Sequence, residues 1–112
     1  VTGVERIAKE RLRQESEEGW SGDHDDDHIS GELALAAACY AAPTRLYTAE
    51  RNAQGHRFMD PWPWDSCWDK RPRDKSGNLR EGTREERIRD LVKAGALVAA
   101  EIDRLEREGQ EA

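Results

Sequence analysis

Two histidines four residues apart, His24 and His28, enclose the aspartates Asp25, Asp26 and Asp27. Imidazole nitrogens and carboxylate oxygens together suit a divalent metal. A metal held there would activate water for phosphate hydrolysis, with Glu32 close by in sequence. The plainer reading is a solvated acidic loop whose side chains contact a ligand or cap the next helix. A second cluster is aromatic: Trp62, Trp64 and Trp68 fall within seven residues and are followed by Lys70 and Arg71. Indole faces stack on flat rings, and adjoining cations meet phosphates. A nucleotide-like ligand satisfies both. The competing reading has each indole sealing a thin core, with at least one ring of the three left to line a pocket. Lys93 interrupts the apolar run Leu91–Ala100. It either snorkels to water or turns inward as an anion ligand.

Other chemistries lack their parts. Ser30, Ser66 and Cys67 have no nucleophile elbow, and no glycine-rich phosphate loop opens a helix. Glu15-x-x-Glu18 would supply half of the carboxylate cage of the all-helical MazG-type pyrophosphohydrolases. Glu86, Asp90, Glu101 and Asp103 give no E-x-x-D to complete it. The metal ligands that an HD phosphohydrolase spreads through a longer bundle are also missing. Binding without turnover, and without a cofactor, is the expectation.

The scaffold that must position these groups is small. A chain of 112 residues is one domain, and at this size it hides roughly 65% of its unfolded surface. Hydrophobic residues make up 36% and charged residues 38%, with a mean hydropathy of −1.01; seven aromatic side chains still argue for a packed core. So thin a core predicts close helix packing and a homo-oligomer. The net charge is −6, which argues against DNA or RNA as partner. Residues 1–32 hold ten acids and four bases, whereas residues 69–80 hold five bases and two acids; the basic segment suits a small anion better than a duplex. No run approaches the ~20 apolar residues that span a bilayer. No membrane partner and a cytoplasmic location are therefore expected. Cys39 and Cys67, without CxxC spacing, fit a reducing compartment, Cys39 buried in a helix and Cys67 free.

The predicted fold is mainly α: three helices, about 2–18, 31–42 and 84–108, with a Pro/Trp-rich extended arm and either a short β-hairpin or a loop over 45–59. In the first helix Val4, Ile7, Ala8, Arg11, Leu12 and Glu15 form the expected inner stripe. A polar loop over 21–30 follows, with Ser30 as cap of the second helix. Pro61 and Pro63 forbid helix in the arm. Thr83-Arg-Glu-Glu86 is a capping box for the last helix, whose stripe runs through Ile88, Leu91, Val92, Gly95, Val98, Ala99, Ile102 and Leu105. Gly95 within that stripe predicts a close neighbour, with the Ala-rich second helix as the expected one.

Several strings are familiar as a set. Gly19-Trp20, His24-Asp25-Asp26 with His28, Gly31-Glu32-Leu33, Ala37-Ala38-Cys39-Tyr40-Ala41, Pro61-Trp62-Pro63-Trp64, Leu91–Leu97 and Ala100–Leu105 together resemble small proteins of bacterial phages and prophages. That resemblance implies a phage origin and action in the cytoplasm of the infected host. Gly19-Trp20, Asp25-Asp26 and the final helix are also similar to ryanodine-receptor repeat domains, although Gly31-Glu32 stands where those have His-Pro. This second likeness implies a purine-nucleotide pocket and a link to bacterial nucleotide-signalling defence.

Taken together, the expectation is a non-catalytic, phage-encoded protein that sequesters a host immune second messenger, such as a cyclic nucleotide or a cyclic ADP-ribose derivative. Trp20, Trp62, Trp64 and Trp68 would stack on it, and Lys70, Arg71 and Lys93 would meet phosphate. His24, Asp26, His28 and Glu32 would bond ribose or base edges. The alternatives are a metal-dependent nucleotide hydrolase using His24, Asp25, Asp26 and His28 as ligands, and an inhibitor whose aromatic arm docks a host protein.

Overall fold

A computed structural model describes residues 1–19 and 22–111, apart from the side chains of Asp23, His24, Gln110 and Glu111. The fold is mainly α with one antiparallel hairpin. Its elements are α1 (Gly3–Glu17), α2 (Gly22–Asp26), α3 (Glu32–Ala41), β1 (Thr48–Asn52), β2 (Gly55–Met59) and α4 (Arg84–Glu111), with a single 3-10 turn at Ser66–Trp68. No helix among the described residues is long and apolar enough to cross a membrane.

The long helix α4 organises the rest, packing against α1, α2 and α3. Its start is the capping box read in the sequence: Thr83 Oγ1 accepts from the Glu86 N–H (3.2 Å), and Glu86 Oε1 accepts from the Thr83 N–H (3.0 Å). Arg80 adds two hydrogen bonds to that carboxylate, and the arginine pulls Glu86 down to about 2. The core is small: Leu33, Ala36, Ala37 and Tyr40 of α3 meet Ala94, Leu97 and Ala100 of α4. Alanines make up most of that contact, the small side chains that permit close helix packing.

Elsewhere the structure corrects the sequence reading. The segment 21–30, expected as loop, contains the helix α2, tied down by Arg11 to Asp25 (2.6 Å) and Arg107 to Asp26 (2.8 Å). Arginine pairing across to α1 and α4 supplies the order that local sequence lacks. Ser30 is not the cap of α3. Gly31 takes that position at φ 82°, a left-handed conformation that suits glycine, and the Glu32 carboxylate reaches back to the Ser30 N–H (2.7 Å).

The expected stripes of α1 and α4 are also turned. Val4 and Leu12 are exposed, and α1 instead buries Gln14, with Ile7 half-buried. Ile88, Leu91, Val98, Ile102 and Leu105 all lie exposed, because α4 packs through its small-residue face. Gly95 does have its close neighbour, but it is Ile7 of α1 and not the Ala-rich helix: a Cβ there would stand 2.5 Å from Ile7 Cδ1.

Of the two alternatives for 45–59, the hairpin is realised, with Thr48 opposite Met59 and Asn52 opposite Gly55. All its strand residues but Met59 are exposed. The arm turns its first two indoles inward. Trp62 and Trp64 pack on the core, edge to face with each other at 5.6 Å, and Trp62 meets Tyr40 in the same way at 5.5 Å.

Candidate functional site

Tyr40 is the residue around which the polar chemistry divides. It sits near the end of α3, buried, and its hydroxyl accepts the Lys70 backbone N–H at 3.0 Å. That bond fixes the end of the arm against α3. Burial pushes the Tyr40 phenol up to about 12, so it stays neutral.

On one side of Tyr40 lies a cleft of about 380 Å³ between α1, α4 and the arm, within the range of small-ligand sites. Glu10, Arg13, Gln14 and Glu18 come from α1, Lys93 and Leu97 from α4, and Cys67, Trp68 and Lys70 from the arm. Lys93 resolves its two readings by turning inward. Its ammonium stands 5.5 Å from the centre of the Tyr40 ring. Burial holds it below the ordinary lysine value, against the opposing pull of Glu10 and Asp90. Among the described residues no carboxylate lies within ion-pair distance of it. The nearest acid on α1 is already used: Glu10 takes two hydrogen bonds from Arg13 (2.6 and 2.8 Å), which also reaches Glu18 at 3.0 Å.

Gln14 supplies a second unmatched group. It is 2% exposed and its Nε2 donates to Glu10 at 3.3 Å, but its Oε1 has no partner among the described residues. A buried amide oxygen left unpaired costs about 1–3 kcal/mol. The cleft is therefore lined by a half-buried ammonium and by a glutamine whose amide oxygen lacks a donor among the described residues. The Trp68 ring, 47% exposed, stands at its edge. Lys70 keeps its ammonium on the Cys67 carbonyl (3.0 Å), exposed and free to swing.

The other side of Tyr40 is built differently. Arg71 is buried and gives Asp69 two side-chain hydrogen bonds, at 2.9 and 2.7 Å, with a further pair to Asp60 at 3.3 Å. Its guanidinium also covers the Trp62 ring at 5.4 Å. Burial alone would raise Asp69, but the Arg71 and Arg73 hydrogen bonds bring it below the usual carboxylate value. A second cleft of about 370 Å³ lies beyond this network and includes Asp90. Asp90 is buried, its carboxyl raised by burial, with Oδ1 unpaired among the described residues. The arginines around it are committed: Arg87 to the carbonyls of Tyr40, Ala41 and Ala42, and Arg80 to Glu86.

Of the residues singled out in the sequence, the structure brings Trp68, Lys70 and Lys93 together. Trp62 and Trp64 face the core, and Arg71 belongs to the arm network. Asp26 pairs with Arg107, while His28 meets Glu32 at 3.2 Å and tilts against Trp64 at 5.2 Å. Trp20 and the His24 side chain lie outside the described residues. Among those described, no three His, Cys, Asp or Glu side chains are grouped to hold a metal. Sequence reasoning missed Gln14 and Tyr40. Gln14 carries a readable signal, lying seven residues after Ile7 on the same helical face.

No family model matches the chain, and neither a curated protein nor a solved structure matches it.

Proposed function

We propose that the cleft beside Tyr40 binds a small nucleotide-type anion and holds it without chemical change. The observation that carries this reading is the pairing of unmatched groups: the half-buried Lys93 ammonium faces a cleft also lined by Gln14, whose Oε1 lacks a partner among the described residues. A ligand that fills both needs a phosphate oxygen for Lys93 and an N–H donor for Gln14. A base with a ring N–H or an amino group, joined to a phosphate, has both. Trp68 offers its face to the base, and Lys70 can leave its carbonyl for a second phosphate oxygen. Among the described residues neither Ser nor His lines the cleft, so Cys67 there has no imidazole to activate it. In a phage setting, as the sequence resemblance implies, the use would be sequestration of a nucleotide second messenger of host defence.

Titration calorimetry with linear mononucleotides, cyclic nucleotides and cyclic ADP-ribose tests this directly. Saturable binding of one class is expected, with ligand recovered intact by chromatography. Lys93→Met should weaken it about 10- to 100-fold, the range of a lost charged hydrogen bond. Heat only from turnover, dependent on added magnesium or manganese, would replace the reading with hydrolysis. No binding by any of the three classes would end it.

A further inference from the structure

The outward face of α4 is apolar along most of its length. Ile88, Leu91, Val98, Ile102 and Leu105 are each 39–51% exposed, and with Gly95 they follow the alternating three- and four-residue spacing of a helix–helix seam. Gly95 does not interrupt the stripe, because the Ile7 side chain occupies the place its missing Cβ leaves. Isolated exposed leucines need no explanation, whereas a continuous run of this kind marks a contact surface. Lys93 lies on the far side of the helix from Leu91 and Val98, so a partner on this face leaves the Tyr40 cleft open.

We propose that this face joins two copies of the chain, with their α4 helices antiparallel about a two-fold axis between Gly95 and Val98. A two-fold interface must be complementary to itself. Spacing meets that condition: reversing the helix sets Ile88 and Leu91 against Ile102 and Leu105 of the other copy. Charge meets it too. On the stripe's own face the start of α4 carries Arg84 and its end carries Glu106, both exposed, whereas Arg89 and Asp103 lie to the side and Glu108 is held by Arg104. Antiparallel pairing sets Glu106 of one copy near Arg84 of the other, while parallel pairing stacks each on its own kind.

Sedimentation equilibrium of the full chain, with Leu91→Asp and Ile102→Asp as variants, is the test. A dimer is expected, and either variant should weaken it on the order of 100-fold while circular dichroism keeps its helical signal, since both side chains are exposed. A monomer at about 0.1 mM, or a dimer indifferent to both variants, overturns the proposal. Direction is read by disulfide trapping in a Cys67→Ser background. Antiparallel packing cross-links the Ile88→Cys/Leu105→Cys double variant and neither single variant. A dimer through single-variant cross-links overturns the geometry. Neither arm depends on whether the cleft binds a nucleotide.

Discussion

The two sides of Tyr40 contain similar residue types in opposite states. On the arm side Asp60, Asp69, Arg71 and Arg73 form a network in which Asp69, its side chain 1% exposed, is held by two arginines. On the cleft side Lys93 is desolvated with no carboxylate in ion-pair distance, and the Gln14 amide oxygen has no donor, both among the described residues. A buried charge that is fully paired is part of the frame, and removing one member leaves the other stranded. A desolvated charge that the frame does not satisfy is a standing cost, which only something from outside can remove. The first arrangement is construction and the second is vacancy.

That contrast is most severely tested by Arg71→Ala. It takes away the more buried of the two arginines on Asp69, leaving Arg73, and is expected to cost about 3 kcal/mol, the lower end for a broken buried pair, read as a lower denaturation midpoint in urea; an unchanged midpoint would dissolve the distinction. Gly95→Ala comes next. The new methyl meets Ile7, and a loss of about 1–3 kcal/mol is expected. Adding Ile7→Ala should cost less than the sum of the two single changes; strict additivity would mean that the α1–α4 approach at this point sets nothing. Lys93→Met has the smallest effect on stability, and its sign is the informative part. It should leave the protein as stable or slightly more so, because it removes a desolvated ammonium that Glu10 and Asp90 attract only at a distance.

The pH dependence sharpens the same point. The folded Lys93 pKa lies below the ordinary 10.5, so between the two values the unfolded chain binds more protons and stability rises with pH. Lys93→Met should flatten that rise. Tyr40, pushed up to about 12, works in the opposite sense, but only above its ordinary value of 10. The Cys39 thiol, also raised by burial, acts in the same sense as Tyr40 from its ordinary 9.0 upward, so it is the difference between Lys93→Met and the parent protein that isolates the lysine.

The helices were legible because their signals are local. The capping box from Thr83, Pro43 after α3, and the two prolines of the arm each constrain the backbone through their own residue or its neighbours. Which face of each helix is buried was not legible. The periodicity of α4 is real, but the larger residues mark its outer face, and Ala94, Leu97 and Ala100 mark the inner one. Hydrophobicity gives the angle of a stripe without saying what covers it. In the candidate site, Trp68, Lys70 and Lys93 were anticipated, yet Arg71, adjacent to Lys70, belongs to the opposite side of Tyr40. Nothing in the string Asp69-Lys70-Arg71 says which cation folds back onto the aspartate; that depends on where Asp60 and Trp62 arrive. Gln14 was passed over because an amide in a charged helix looks like surface until α4 is laid on it.

Arg87 makes the end of α3 depend on α4. Its guanidinium holds the carbonyls of Tyr40, Ala41 and Ala42, residues 45 to 47 positions earlier. The last turn of α3 thus receives its cap from a side chain made much later in synthesis. Until α4 docks, those carbonyls face water and the turn is free to fray, leaving Tyr40 without the setting that receives the arm. The cleft beside Tyr40 therefore depends on α4 twice, through Lys93 and Leu97 in its lining and through Arg87 on the turn that carries Tyr40.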